Sequence, residues 1–277
     1  MTLPLDRLLS RDHPLVSDAG RSIALLHGHQ TDRVALLLHG LTASPRQFLA
    51  VAEALHAQGW NVLAVRLPRH GYSDRLTDAL AGLTTAELIA RSDEALDVAQ
   101  GLGNRLTVVG FSVGGMLALR LAQRHELESV VAIAPFLAWR WLPYWMQPIG
   151  MRAVLAIPNQ RLWWDPRLRE NQMPTHGYPC FSTHAVARVY ALAATVRRDA
   201  ANSAPRAKRV VAILNEREAA VHNGVVRSLI SAWQRHGGNA ALHLLQGLPL
   251  SHDIIEPLAE PPLSQRVFAS IMGKILE

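Results

Sequence analysis

The chain has a single cysteine, Cys180, among its 277 residues, which excludes an internal disulfide and is typical of a reducing compartment. Its first residues lack the sustained apolar stretch of a secretory signal. No apolar run approaches the ~18 residues that a membrane-spanning helix needs, and the longest, residues 130–139, contains Pro135. We therefore expect a cytoplasmic protein with no integral membrane segment.

Lysine is nearly absent, because Lys208 and Lys274 are the only two and arginine supplies most of the positive charge behind the net value of +6. A strongly basic chain can suit a nucleic acid or an acidic surface as its partner. However, the arginines are scattered, and no basic run alternates with aromatic residues that could stack on bases. We therefore expect no nucleic-acid partner.

The signatures of metal, phosphate and dinucleotide sites are missing too. The chain has no H-E-x-x-H sequence, no second cysteine, no phosphate-binding P-loop and no G-x-G-x-x-G fingerprint. We therefore expect neither a metal ion nor a cofactor. Hydrophobic residues make up 49% of the chain, which predicts a well-filled globular core rather than disorder.

What the chain does contain is the sequence Gly-Phe-Ser-Val-Gly at residues 110–114. A strand-like apolar run precedes it at residues 105–109, and a helix-like run follows it at residues 115–124. In such a strand–turn–helix, G-x-S-x-G puts the serine on a sharp, strained turn with its hydroxyl exposed above the sheet. The flanking glycines have no Cβ, so strand and helix can approach closely. This context predicts that Ser112 is a nucleophile.

Strand-like and helix-like segments alternate along most of the chain. The strand-like segments are residues 22–27, 34–38, 61–66, 105–109, 129–134, 209–214 and 240–245. The helix-like segments are residues 47–58, 84–101, 115–124, 223–236 and 262–276, of which the second opens with a Thr-x-x-Glu capping box. This alternation predicts a doubly wound α/β fold with a mostly parallel sheet. The short connection between the first two strands predicts that they are antiparallel neighbours.

The alternation stops between Pro135 and Arg206. This segment carries five of the seven tryptophans of the chain, which are Trp139, Trp141, Trp145, Trp163 and Trp164. Their indole rings could pack a small core of the segment itself, or they could line an apolar pocket for an acyl or alcohol group. Both interpretations stay open, and each can apply to different tryptophans.

Three more motifs stand at the ends of predicted strands, namely His39-Gly40, His70-Gly71 and Ser251-His252-Asp253. Together with the serine turn, they resemble the α/β-hydrolase superfamily, and within it the bacterial esterase, lipase and serine-aminopeptidase-like branch that includes monoacylglycerol lipases. The resemblance covers about residues 22–135 and 206–277. It implies a single α/β-hydrolase domain over residues 1–277, whose mostly parallel central sheet is flanked by helices on both faces. Residues 136–206 would be a cap inserted over the serine.

The resemblance implies a catalytic triad in the chain order serine, acid, histidine. Ser112 takes the first place, and His252 takes the last because it lies in the loop after the final strand. A serine hydroxyl is a poor nucleophile at neutral pH, so it needs such a base within hydrogen-bond reach and a third group that orients the base.

The acid departs from the family pattern. In the loop after the strand at residues 209–214, the family usually has an aspartate three residues before a valine, and here Glu218 stands three residues before Val221. Glu218 is therefore the expected acid, and Glu216 in the same loop is the alternative. Asp253 is poorly placed to receive the histidine Nδ1 proton, because it directly follows the histidine in sequence.

The family's oxyanion hole consists of two backbone N–H groups, one from the residue after the nucleophile and one from the loop after the first parallel strand. Carried over to this chain, these donors are Val113 and Leu41. His39 is expected to brace that loop rather than act as a second base. His70 is expected to be structural as well.

The resemblance implies a serine hydrolase that cleaves carboxylic esters through an acyl-enzyme on Ser112. Its partner would be a small-molecule ester with an apolar acyl or alcohol part. A thioester, an amide such as an N-terminal peptide bond, or a carbon–carbon bond remains possible with the same triad. A dehalogenase or epoxide hydrolase is disfavoured, because those relatives carry aspartate at the nucleophile position. A ligand-binding protein without catalysis is the remote alternative, and no oligomeric state is predicted.

Overall fold

A computed structural model describes residues 3–10, 15–172, 176–256 and 261–277. Within these residues the strands are β1 (Ile23–Leu25), β2 (Thr31–Leu38), β3 (Asn61–Val65), β4 (Gly103–Phe111), β5 (Ser129–Ile133), β6 (Arg161–Trp163), β7 (Cys180–Ser182), β8 (Val210–Asn215) and β9 (Ala240–Leu245). The helices are α1 (Leu3–Leu9), α2 (Leu49–Ala57), α3 (Thr85–Gln100), α4 (Val113–Arg124), α5 (Gln147–Ala156), α6 (Thr183–Asn202), α7 (Asn223–Arg235) and α8 (Pro261–Leu276).

Seven strands form the main sheet in the order β1-β3-β2-β4-β5-β8-β9. All neighbours are parallel except β1 and β3. Every residue of β3, β5 and β8 is buried, because helices cover both faces of the sheet. Helices α3, α4, α6 and α7 pack against one another in a layer, whereas α2 packs against β1 and β3 and α8 packs against β5. The predicted doubly wound, mostly parallel α/β fold is confirmed.

The predicted pairing of the first two strands is wrong. Strand β1 lies antiparallel to β3, with Ile23 opposite Ala64, and does not pair with β2. Strand β2 instead has β3 and β4 as its parallel neighbours, with Val34 opposite both Asn61 and Leu106. The long apolar β2 gains more buried contact from these two partners than from the three-residue β1, which is left at the edge of the sheet.

Parallel strands bring four loops to one edge of the sheet. Strands β2, β4, β8 and β9 end at Leu38, Phe111, Asn215 and Leu245. In register, Leu38 lies opposite Gly110 and Asn215 lies opposite Leu245. All of the predicted site residues lie in these loops or, for Val113, at the start of α4. The topology therefore gathers them at the carboxyl edge of the sheet, where ligands bind in open α/β sheets.

The segment between β5 and β8 has two structural parts. Strands β6 and β7 form a separate antiparallel sheet, with Leu162 opposite Phe181. Helix α6 packs against α4, α5 and α7, so it also serves as the crossover that the parallel pair β5 and β8 requires. Although α6 has 20 residues, no helix in the described ranges combines the length and apolarity needed to cross a membrane.

Two fully buried histidines connect the loops after β2 and β3. The Leu67 N–H donates to His39 Nε2 at 3.0 Å, so the ring proton of His39 is on Nδ1, which donates to the Gly40 carbonyl at 2.8 Å. His70 Nδ1 donates to the Pro68 carbonyl at 2.8 Å. The two rings meet edge to face, with 5.1 Å between their centroids. Both side chains therefore brace the loops at this edge of the sheet.

These two side chains are neutral in the folded protein. Burial lowers the pKa of His70 to about 4, and the nearby Arg66 also lowers it. Burial, followed by the proximity of His70, holds the pKa of His39 well below its usual range. In the unfolded chain both histidines bind a proton near pH ~6.5. Their contribution to stability is therefore complete above that pH and is lost as the pH falls toward the folded-state pKa.

We predict that the free energy of unfolding from urea titrations falls by about 3 kcal/mol through His70 alone between pH ~6.5 and ~4. In His70→Asn, the amide Nδ2 can still donate to the Pro68 carbonyl, but the side chain no longer takes up a proton. The free energy of unfolding of the variant should therefore fall less steeply as the pH is lowered. The difference in slope should correspond to about one proton fewer taken up on unfolding. Equal slopes for the variant and the unmodified protein would contradict this explanation.

Candidate active site

Ser112 lies at the turn between β4 and α4 in a strained backbone conformation. Its φ of 53° and ψ of −111° are unusual for a residue with a Cβ. Three backbone hydrogen bonds of 2.9 Å hold it there: its N–H donates to the Ile133 carbonyl, and its carbonyl accepts from the N–H groups of Met116 and Phe136. The residue is only 6% exposed. The neighbouring backbone therefore determines where the serine hydroxyl points.

The glycines on either side of the serine are required by close backbone packing. A Cβ on Gly110 would overlap the carbonyl oxygen of Gly114, and a Cβ on Gly114 would overlap the carbonyl oxygen of Leu38. The Gly114 N–H also donates to the His39 carbonyl at 3.1 Å. The first turn of α4 is thus fastened to the end of β2, next to the loop that carries Leu41.

A continuous chain of hydrogen bonds joins the three predicted triad residues. His252 Nε2 lies 2.8 Å from Ser112 Oγ, and His252 Nδ1 lies 2.7 Å from Glu218 Oε1. Because a carboxylate only accepts, the histidine proton is on Nδ1, and Nε2 is free to accept the serine proton. Glu218 is 1% exposed. The alternative acid, Glu216, is exposed and forms no hydrogen bond with His252 in the described part of the chain.

The longer side chain of Glu218 is held by one of its two oxygens. Besides His252, Oε1 accepts from the backbone N–H groups of Ala220 at 2.9 Å and Val221 at 3.3 Å. Oε2 is buried and has no hydrogen-bond partner among the described residues. The carboxylate is therefore oriented by the backbone of its own loop as well as by His252.

Asn215, at the end of β8, connects the loop of Glu218 to the loop of His252. Its fully buried Nδ2 lies near the carbonyls of Arg217 at 3.3 Å and Ser251 at 2.8 Å, and it donates to both. The sequence reasoning missed this role. The sequence shows only that Asn215 is the one polar residue of an otherwise apolar strand. It does not identify the carbonyl groups to which the side chain donates.

The loop of Glu218 is also held from the other side, by the chain that follows β5. The Arg140 guanidinium donates to the carbonyl of Glu218, and the Arg140 N–H donates to that of Ala220 at 2.8 Å. The Trp141 indole N–H donates to the Ala219 carbonyl at 2.6 Å. The start of the segment at residues 136–206 is thus directly bonded to the loop of the predicted acid.

The two predicted oxyanion donors are free to bind a ligand. Neither the Leu41 nor the Val113 N–H donates a hydrogen bond within the described ranges, and both residues line a cavity beside Ser112. His39 Nδ1 donates to the Gly40 carbonyl, which belongs to the same planar peptide group as the Leu41 N–H. The buried imidazole therefore sets the direction of this N–H.

The cavity has a volume of about 470 Å³ and reaches Ser112 and His252. Its walls are mostly apolar, with the aromatic residues Phe136, Trp139, Trp141, Trp163, Trp164 and Phe181 among the lining residues. Four of the five tryptophans thus face this space. Trp145 does not line it and is 74% exposed, so it packs no core either.

Few polar side chains other than Ser112 itself line the cavity. They come from Thr42, Gln47, His252 and Asp253. Burial raises the pKa of Asp253, and its carboxylate binds backbone N–H groups and Gln47 rather than His252. In the described part of the chain, no three or more His, Cys, Asp or Glu side chains are grouped so that they could hold a metal ion.

Known proteins resemble this chain in sequence or in structure. A thermostable monoacylglycerol lipase from Bacillus sp. (strain H-257) is 33% identical over 102 residues, which are 36% of this chain and 38% of that lipase. The monoacylglycerol lipase of Paleococcus ferrophilus superimposes with a TM-score of 0.68 at 17% identity, over 92% of this chain and 98% of that one. For a monoglyceride lipase of Saccharomyces cerevisiae the TM-score is 0.71 at 14% identity, over 92% and 90% of the two chains.

The curated lipase is matched over little more than a third of its length, and the two solved structures are similar in fold at low sequence identity. The family described as the alpha/beta hydrolase family is matched over residues 35–266, which run from within β2 into α8. The resemblance that the sequence motifs indicated, to a superfamily with lipases and esterases among its members, is confirmed. The chain belongs to the alpha/beta hydrolase family.

Proposed function

We propose that this α/β hydrolase is a serine esterase that cleaves carboxylic esters through an acyl-enzyme on Ser112. His252 would be its general base and acid, and Glu218 would orient and stabilise the imidazolium. The observation that carries the proposal is the unbroken chain of hydrogen bonds from Glu218 through His252 to Ser112. It ends at a mostly apolar cavity large enough for an acyl or alcohol group.

In the first half of the reaction, Ser112 Oγ attacks the ester carbonyl carbon while His252 Nε2 accepts the serine proton. The carbonyl oxygen becomes an oxyanion, which the N–H groups of Leu41 and Val113 stabilise. One such preorganised donor typically contributes a factor of about 10²–10³ to kcat. When the tetrahedral intermediate collapses, the ester C–O bond breaks and the alcohol leaves with the proton from His252.

In the second half, a water molecule takes the place of the alcohol. His252 Nε2 accepts a proton from the water as the oxygen attacks the acyl-enzyme, and the same two N–H groups stabilise the second oxyanion. Collapse then releases the carboxylic acid and returns the proton to Ser112 Oγ. The buried Glu218 accepts the hydrogen bond from His252 Nδ1 throughout and stabilises the imidazolium that forms in each half-reaction.

The proposed substrate is an ester with an apolar acyl or alcohol part, and residues 136–206 are the proposed cap that selects it. The aromatic rings of this segment that line the cavity support this proposal. The similarity to two monoacylglycerol lipases agrees with an acyl chain in such a cavity. A few tryptophan rings can bury most of an acyl chain of moderate length.

Ser112→Ala should lower the turnover of p-nitrophenyl butyrate by about 10⁴-fold or more, because the members of a triad act as a unit. Labelling by a fluorophosphonate probe should disappear together with the activity. The melting temperature should change little, since the substitution removes one oxygen atom from a position that close backbone packing already defines. A variant that keeps a tenth of the turnover would exclude Ser112 as the nucleophile.

Glu218→Gln should lower kcat by about 10³- to 10⁴-fold, because a neutral amide favours the wrong imidazole tautomer. Glu218→Asp should also lose activity, since its carboxylate would lie about 1.5 Å farther from His252 Nδ1. The control is Glu216→Gln, an exposed glutamate of the same loop, which should stay within about twofold of the unmodified protein. If the two glutamine variants were equally active, another group would have to orient the histidine.

Trp163→Ala should change the preference among p-nitrophenyl esters of increasing acyl length, because it removes a ring from the cavity wall. We expect kcat/KM for octanoate to fall about tenfold relative to acetate, in line with a loss of a few buried methylene contacts. Trp145→Ala is the matched control, since this exposed tryptophan of the same segment does not line the cavity. Equal length profiles for both variants would argue against the proposed cap.

A further inference from the structure

Gln47 joins the two loops that carry the proposed base and the proposed oxyanion donor. It follows β2 in a short 3₁₀ helix, Pro45–Phe48, and it is only 5% exposed. Its Oε1 accepts from the Gly40 N–H at 3.0 Å, and its Nε2 donates to Asp253 Oδ2 at 2.6 Å. Gly40 directly precedes Leu41, and Asp253 directly follows His252. The side-chain amide of Gln47, which lines the cavity, therefore connects the loop of Leu41 to the loop of His252.

Asp253 determines which end of the Gln47 amide donates and which end accepts. Asp253 Oδ1 accepts from the N–H groups of Ile255 at 3.0 Å and Glu256 at 3.1 Å, and Oδ2 accepts from Gln47. Because the carboxylate only accepts, it holds the Nε2 end of the Gln47 amide and leaves Oε1 for Gly40. A reversed amide would place its N–H against the Gly40 N–H. Because the Asp253 carboxylate binds Gln47 Nε2, it is Gln47 Oε1 that accepts from the Gly40 N–H in the oxyanion loop.

The loop at Gly40 is held from two sides. His39 Nδ1 fixes the carbonyl of the peptide that bears the Leu41 N–H, and Gln47 fixes the N–H of the preceding peptide. The first contact comes from the core of the molecule. The second comes, through Asp253, from the loop of His252, so it relates the position of the oxyanion donor to that of the base.

We propose that Gln47 is a positioning residue, which bonds to Asp253 and Gly40 and thereby holds the Leu41 N–H at a fixed position relative to His252. The inference rests on the proposed esterase function, because it assigns Leu41 to the oxyanion hole. A donor contributes fully only when it lies at hydrogen-bond distance from the oxyanion, and a displacement of about 1 Å in a catalytic group can cost about 10²-fold in rate. Neither Gln47 nor Asp253 takes part in a bond that is made or broken.

The first test is Gln47→Met, which keeps the length and most of the volume of the side chain but removes both hydrogen bonds. We expect kcat for p-nitrophenyl butyrate to fall about 10- to 100-fold while KM stays within about threefold, since the oxyanion exists only beyond the ground state. The inhibition constant of a trifluoromethyl ketone, whose adduct on Ser112 carries the oxyanion, should rise in proportion to the loss in kcat/KM. A kcat within twofold of the unmodified protein, or an effect confined to KM, would overturn the proposal.

The second test is Asp253→Asn, alone and together with Gln47→Met. If the asparagine oxygen still accepts from the Ile255 and Glu256 N–H groups, the asparagine Nδ2 faces Gln47 Nε2, and both are donors. If the Gln47 amide turns over, its Nε2 faces the Gly40 N–H instead, and these are again two donors. The single variant should therefore lose kcat by a factor similar to that of Gln47→Met. The double variant should fall no more than about threefold below Gln47→Met, because both changes break one chain of contacts.

Losses that multiply in the double variant would overturn the proposal, since they would mean that the two residues act independently. This cycle also covers the case in which Gln47→Met alone fails to fold, because Asp253→Asn by itself should then still show the loss in kcat at unchanged KM. The outcome is separable from that of the proposed function. An inactive Ser112→Ala variant beside a fully active Gln47→Met variant would reject the positioning role and leave the esterase in place.

Discussion

At the turn between β4 and α4, backbone atoms lie so close together that neither Gly110 nor Gly114 could carry a Cβ. This packing holds Ser112 at a φ of 53°, a strain of about 1–3 kcal/mol that three backbone hydrogen bonds and the surrounding core offset. The same contact fastens the start of α4 to the end of β2 through the His39 carbonyl. This junction in the backbone therefore places the Ser112 hydroxyl and the Val113 N–H, and it fastens them next to the loop that carries Leu41.

Around this junction, side-chain amides tie the remaining loops together. Asn215 connects the loop of Glu218 to that of His252, and Gln47 connects the loop of His252 to Gly40. An amide has a donor and an acceptor in one group, so Gln47 can donate to the Asp253 carboxylate and accept from a backbone N–H at the same time. Long loops at the edge of a sheet are the least constrained part of an α/β fold, and these buried contacts make their relative positions specific.

The segment after β5 both lines the cavity and supports the loop that carries Glu218. Its aromatic side chains form much of the cavity wall, and its Arg140 and Trp141 bond to the backbone of the loop that carries Glu218. A mostly apolar wall lowers the local dielectric constant, which strengthens the interaction between a buried carboxylate and an imidazolium. A change in this segment would therefore alter both the shape of the cavity and the orientation of the Glu218 carboxylate, the proposed acid.

The sequence by itself determined what depends on neighbours along the chain. The periodicity of apolar residues predicted the α/β fold, the capping box at Thr84 is present with both of its hydrogen bonds, and the glycine spacing identified the turn at Ser112. Only the tertiary structure decided that β1 pairs with β3, because strands compete for the edges of β2. It also decided which tryptophans face the cavity, and it brought Gln47 to Asp253 across 206 residues of chain. Such contacts depend on where the whole chain places each loop, which no local pattern of residues contains.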